Sequence, residues 1–205
     1  MQTVSYYKSL AADALGGKWG ACAIATLIVY IIFGAVAWLG GDGSSPKAAL
    51  NLVTILLMPV AYGFAAFFLD LCRGSEPDYG TLFQGFREGS RGYFRYLGTQ
   101  LLLYVYQLLW TLLLIVPGII KSYSYSMTLF VMRDRPELEY NAAIEESMRL
   151  MRGNKMRLFL LDLSMAGWFL LSLLSLGIGF LFLVPYTLTA HAAFYEDLKA
   201  QDGAA

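Results

Sequence analysis

Several uninterrupted apolar runs, each long enough to cross a bilayer as a helix, limit what this chain can fold into more than any other feature of its sequence. A hydrocarbon core about 30 Å thick needs roughly 20 apolar residues per helix. Residues 19–39, 49–71, 97–116, 157–176 and 180–198 meet that length, and a shorter stretch follows at 119–132. Of the 205 residues, 58% are hydrophobic, above the roughly 45–50% usual for soluble domains. The sequence therefore predicts an all-α fold: one polytopic transmembrane helical bundle over 1–205, with six spans arranged as three helical hairpins at about 19–71, 97–132 and 157–198.

Orientation follows from the basic residues, because cytoplasmic loops are enriched in Lys and Arg. Lys8 and Lys18 precede the first span, and Arg73, Arg87, Arg91 and Arg95 follow the second. Arg133, Arg135, Arg149, Arg152, Lys155 and Arg157 follow the fourth, and Lys199 follows the sixth. The opposite side holds only Lys47 and, just inside the membrane, Lys121. Both termini are thus expected in the cytoplasm, and a re-entrant Pro117 region would have the same parity. Ala35-Val36-Ala37 imitates a signal-peptidase site, but an uncleaved first helix is the simpler reading. Lys+Arg 15 balances Asp+Glu 15, which gives no basic field for nucleic acid. Cys22 and Cys72 read as reduced thiols, with lipidation the less favoured role for Cys72.

The cytoplasmic segments show apolar residues at helical spacing and are expected to lie in the interface at about 3–15, 79–89 and 135–152. Val4, Tyr7, Leu10, Ala11 and Ala14 share one face; Tyr79, Leu82, Phe83 and Phe86 share another. In the third, Asp134 and Glu137 form an expected capping box, Tyr140, Ala143, Ile144, Ser147, Leu150 and Met151 form the apolar face, and Gly153 is the expected C-cap. Each segment leads to Gly, a basic residue and an aromatic: Gly17-Lys18-Trp19, Gly89 to Arg91 with Tyr93-Phe94, and Gly153 to Lys155 with Phe159. A span then leaves, and a returning helix contains or starts at Pro59, Pro117 or Pro185. This pattern predicts three parallel hairpins related by a weak internal repeat. Pro59, Pro117, Gly118 and Pro185 are the expected helix breaks.

From Pro117 onward the sequence resembles a bacterial integral-membrane family, domain of unknown function nine-seven-five. The resemblance is carried by Pro117-Gly118-Ile119-Ile120, Tyr125-Ser126-Met127, Ala143 with Ser147, and Leu150-Met151 followed by Gly153 and Lys155. It continues through Phe159, Leu163-Ser164, Gly167-Trp168, Pro185-Tyr186, Phe194-Tyr195 and Asp197-Leu198. Met165-Ala166 depart from the family's bulkier residues, and the first half matches mainly at Gly17 and Trp19. The resemblance implies a bacterial cytoplasmic membrane, and it implies no reaction, substrate or catalytic residue.

Candidate chemistry lies with ionisable groups inside the spans, where a charge costs about 2.5–3.5 kcal/mol. Lys121, with Ser122 and Tyr125 in the run 121–126, could face a cavity and bind an anionic group; the structural alternative has Lys121 snorkelling and the serines bonding their own helix. Asp162 and His191 sit at similar depth on neighbouring helices and could form a relay; the alternative pairs Asp162 with Arg157 or Lys155. Ser164 beside them makes only a weak nucleophile signal, without a Gly-x-Ser-x-Gly elbow. One histidine and two separated cysteines make a zinc site improbable, there is no P-loop, and no cofactor is expected. The favoured expectation is a non-enzymatic protein whose partners are anionic membrane lipids, another membrane protein or a second copy of itself. Transport comes second, and would show as a polar cavity bridging Lys121, Asn51 and Gln107. An intramembrane enzyme comes third.

Overall fold

The computed structural model describes residues 2–39 and 53–203, so Lys47 and Asn51 lie outside the described residues. All regular structure among the described residues is helical. We number the α-helices in order: α1 (Val4–Leu15), α2 (Trp19–Leu39), α3 (Pro59–Cys72), α4 (Gln84–Arg87), α5 (Gly89–Leu113), α6 (Ile115–Tyr125), α7 (Thr128–Asp134), α8 (Asn141–Leu150), α9 (Lys155–Leu163), α10 (Ala166–Leu174) and α11 (Phe180–Gly203). A 3-10 turn, Tyr79–Phe83, precedes α4. Among the described residues three segments are long and apolar enough to cross a membrane: Trp19–Trp38, Val53–Cys72 and Lys155–Leu174. Against the six expected, α6 and α7 are each too short alone, while α5 and α11 are diluted by Gln100, Gln107, His191 and the acids Glu196 and Asp197.

The returning helices occupy the centre. Over half of the Val53–Cys72 segment is buried, 56%, against 22% for Trp19–Trp38 and for Lys155–Leu174. Its α3 portion packs on α11, α7 and the 3-10 turn, and α1 lies across α11. The shared core gathers Tyr7 and Ala11 from α1, Tyr62, Ala65 and Leu69 from α3, Phe130 and Val131 from α7, and Phe194 and Tyr195 from α11. Close approach needs glycine here: a Cβ on Gly63 would fall 2.2 Å from the Leu82 carbonyl oxygen.

Two antiparallel pairs are defined by contacts that step in opposite directions. Along α5 and α6, Gly118 meets Thr111, Lys121 meets Trp110 and Tyr125 meets Tyr106. Along α9, α10 and α11, Gly179 meets Ser172, Thr187 meets Met165 and His191 meets Asp162. Gly17, Gly89 and Gly153, the three glycines of the sequence repeat, all adopt positive φ, at 72°, 74° and 82°. Each lets the chain turn from the helix before it into the one after it at a conformation other residues resist.

Several local expectations are corrected. The break after α5 is at Leu114, which is extended at φ −161° and ψ 139°; Pro117 stands in the first turn of α6, where its missing N–H costs nothing. Gly118 is a packing residue. Pro185 does not break its helix, since α11 runs through it and one lost bond in the second turn is tolerated. Pro59 does begin α3. At that break α5 caps two carbonyls, with the Tyr93 hydroxyl on Leu56 O at 3.0 Å and the Gln100 amide adding a second bond, at 2.8 Å, to Met58 O, which also accepts from the Ala61 N–H.

Asp134 is not a helix N-cap: it ends α7, and α8 starts only at Asn141. Pro136 disfavours helix at the residue before it, and the buried Arg95 guanidinium donates to the Pro136 carbonyl, holding 135–140 against α5. The 79–89 segment is a 3-10 turn and one helical turn rather than a continuous amphipathic helix; only Leu82 and Gly85 are buried there, and Tyr79, Phe83 and Phe86 point outward. The expected face of α8 is buried at Ala143, Ile144, Ser147 and Leu150, whereas Tyr140 is exposed and lays its ring against Gly98.

Candidate functional site

The outer ends of the long helices carry almost no polar side chains, so polar geometry concentrates in three places. The first is the run 121–126. Lys121 Nζ sits 4.7 Å from the Trp110 ring centroid, a cation–π contact. Ser122, Ser124 and Ser126 each donate to a carbonyl of their own helix, at 2.7, 3.1 and 2.9 Å. Tyr125 is buried and its ring lies 6.4 Å from that of Tyr106. These serines therefore bend to backbone rather than aim into a cavity. A groove of about 360 Å³ does pass Gln100, Gln107, Ser122 and Tyr125, but Lys121 is not on it.

The second place joins two residues that lie 29 positions apart in the chain. His191 Nε2 and Asp162 Oδ1 are 2.6 Å apart, both half-buried, on α11 and α9. The sequence's structural alternative for Asp162 does not form: Arg157 turns instead to Asp197 at 3.1 Å and to the Tyr7 hydroxyl at 2.6 Å. Tyr123 of α6 lies close enough to Asp162 to feel its charge. Ser164 is not part of the pair, because its hydroxyl donates to Leu161 O at 2.7 Å.

The third place was missed by sequence reading. α3, α7 and α11 each carry an aspartate toward the C-terminal end, at Asp70, Asp134 and Asp197, and each carboxylate receives a cation from a different element. Arg133 reaches Asp70 at 2.7 Å, Arg73 reaches Asp134 at 2.7 Å, and Arg157 reaches Asp197. Lys199 and the Tyr195 hydroxyl also bond Asp134, and Tyr7 bonds Asp197. Beyond them Arg149 binds Glu146 and makes a two-pronged bond to Asp202, at 2.6 Å on both arms. The signal was in the sequence as Asp70-Leu71-Cys72-Arg73, Arg133-Asp134-Arg135 and Asp197-Leu198-Lys199, yet which cation met which acid depended on how the helices cross.

Burial alone would raise the Asp134 carboxyl, but hydrogen bonds from Lys199 and Arg73 hold it below its ordinary value. Hydrogen bonds from Arg149 hold Glu146 down in the same way. A folded value below the unfolded one means the stability is complete above the usual carboxylate range near pH 4 and disappears as pH falls through the depressed value. We expect melting of the detergent-solubilised protein to drop on acidification below about pH 4. Asp134→Asn should lose about 1–3 kcal/mol at neutral pH, a value between those of exposed and buried pairs, and should flatten that acid limb. An unchanged melting curve for Asp134→Asn across pH 3–8 would contradict this role.

Comparison with curated proteins and with solved structures finds no match. A family model does match over residues 111–202, from the last turn of α5 into α11, and the residues that carried the resemblance in the sequence, from Pro117-Gly118 to Asp197-Leu198, fall inside it. Over that segment, the chain matches the family described as protein of unknown function (DUF975).

Proposed function

We propose that this protein is a non-enzymatic, lipid-contacting module of the bacterial cytoplasmic membrane, spanning it six times as three hairpins with both termini and the aspartate layer on the cytoplasmic side. The observation that carries this reading is the division of the surface into two kinds. At the distal ends Trp38, Leu112, Leu174 and Leu176 are 80%, 82%, 80% and 95% exposed. Leaving such side chains in water forfeits about 1.5–3 kcal/mol each, so hydrocarbon is their natural surrounding. At the opposite end the exposed aromatics Tyr79, Phe83 and Phe86 stand beside exposed Arg87 and Arg91, the pairing that suits an interface with anionic head groups. Segment 115–134 has 20 residues, enough at 1.5 Å per residue to cross about 30 Å despite its interruption at Ser126-Met127.

In a Cys22→Ala/Cys72→Ala background, a membrane-impermeant maleimide applied outside intact cells should label Leu176→Cys and not Arg152→Cys; the reverse pattern overturns the topology. Protein extracted from vesicles of equal phosphatidylglycerol and phosphatidylcholine should retain the anionic lipid several-fold in excess by native mass spectrometry. Equal retention overturns the lipid preference.

Transport is a second reading, favoured by the Asp162–His191 contact inside the candidate span Lys155–Leu174. Intramembrane acids and histidines of this kind mark relays. Proteoliposomes monitored with an internal pH dye should then show proton flux that Asp162→Asn abolishes, and flux absent or identical in both proteins removes this reading.

A further inference from the structure

An apolar crevice of about 460 Å³ lies between the start of α2 and the α10–α11 pair, lined by Trp19, Trp168, Leu171, Phe182, Leu183 and Tyr186 among others. Its volume is about three times that of engineered apolar cavities that stay dry and bind benzene (~150 Å³). Water would find few partners in it. Ser172 Oγ donates to Trp168 O and Ser175 Oγ to Ser172 O, both at 2.8 Å, while the Tyr186 hydroxyl donates to the Lys8 carbonyl at 3.1 Å. The hydroxyls on the wall are thus already engaged within the protein. The crevice lies along two candidate spans, Trp19–Trp38 and Lys155–Leu174, so the medium at its mouth is lipid.

Two lysines lie next to residues at one end of the crevice. Trp19 stacks on Tyr186 with ring centroids 6.4 Å apart, and Lys18 immediately precedes Trp19, while Lys8 accepts the Tyr186 bond on its backbone. No acidic partner is found for Lys8 among the described residues. Lys18 Nζ donates to the Ser75 carbonyl at 3.0 Å and pairs with Glu76, which is 86% exposed and so screened by water. The Lys8 backbone, bonded by Tyr186, and Lys18, one residue before Trp19, thus lie at one end of an apolar slot whose far end is Ser175 and Gly179. We propose that this slot is a specific site for one anionic phospholipid, with its phosphate at Lys8 and Lys18 and an acyl chain against Trp19, Trp168 and Leu183. The inference rests on the lipid-contacting reading above and narrows it from a surface to a site.

In a Trp38→Phe/Trp110→Phe background only Trp19 and Trp168 of the four tryptophans remain, and both line the slot. Titrating that protein in detergent with phosphatidylglycerol brominated along its acyl chains should quench at least about half of the emission saturably. Brominated phosphatidylcholine should need roughly thirtyfold more, given about 1 kcal/mol for each of the two lysines near an anionic head group. Leu171→Phe and Leu183→Phe, made separately so that one misfolded variant does not end the test, should each remove the saturable component. Lys8→Gln/Lys18→Gln should erase only the head-group preference. Quenching that rises linearly without saturation, or saturation that survives both Phe variants, overturns the site. If that happens while native mass spectrometry still shows retained anionic lipid, the broader reading stands; if retention shows no preference either, both fall.

Discussion

Everything in this molecule follows from the contrast between the two ends of one set of helices. Toward the distal ends the side chains are leucine, isoleucine and tryptophan with little buried against anything, a surface that suits hydrocarbon. Toward the other end the same helices pack tightly, bury Tyr7, Tyr62, Phe68, Phe194 and Tyr195, and meet water through arginines. A bundle of this kind gains little from apolar burial among its outer halves, because lipid is as apolar as leucine. Its cohesion must come from close packing and from polar contacts, and that is where the structure concentrates them.

Two kinds of contact supply that cohesion. Glycines allow helices to touch: Gly118 against Thr111, Gly179 against Ser172 and Gly63 against the Leu82 carbonyl. Polar side chains then tie the breaks and ends. Tyr93 and Gln100 bond carbonyls beside Pro59, Gln107 donates to the Gly118 carbonyl at 3.0 Å, and Asp70, Asp134 and Asp197 gather cations from helices distant in sequence. The Asp162–His191 contact belongs to the same class, whatever further use is made of it, because it clips α9 to α11 in the half of the pair nearest the ion-pair layer.

Pairing of acids and bases also limits what the interfacial end offers to partners. Arg73, Arg133, Arg149 and Arg157 are committed to carboxylates, so the positive charge counted in the sequence is largely spent inside the protein. Among the described residues Arg87, Arg152, Lys155 and Lys8 remain without a carboxylate partner there, two of them exposed. Affinity for anionic lipid, in this reading, comes from a few placed cations rather than from a general basic field.

Much of the architecture was legible in the sequence because hydropathy is a property of each residue and needs no partner. The three segments apolar enough to span, the turns at Gly17, Gly89 and Gly153, the buried face of α8 and the break at Pro59 could all be read there, although Met151 and not Gly153 caps α8. Tertiary structure alone decided the rest. Asp134 carries a good capping-box spacing, but a carboxylate goes to the strongest donors within reach, and Arg73 and Lys199 arrive only after α3, α7 and α11 have crossed. Asp162 could have paired with Arg157 next to it on its own helix; Asp197 and Tyr7 claimed that arginine, leaving His191. Local pattern sets which residues meet lipid or water, whereas the choice among competing charged partners is a matter of distance, and distance is fixed only when the helices pack.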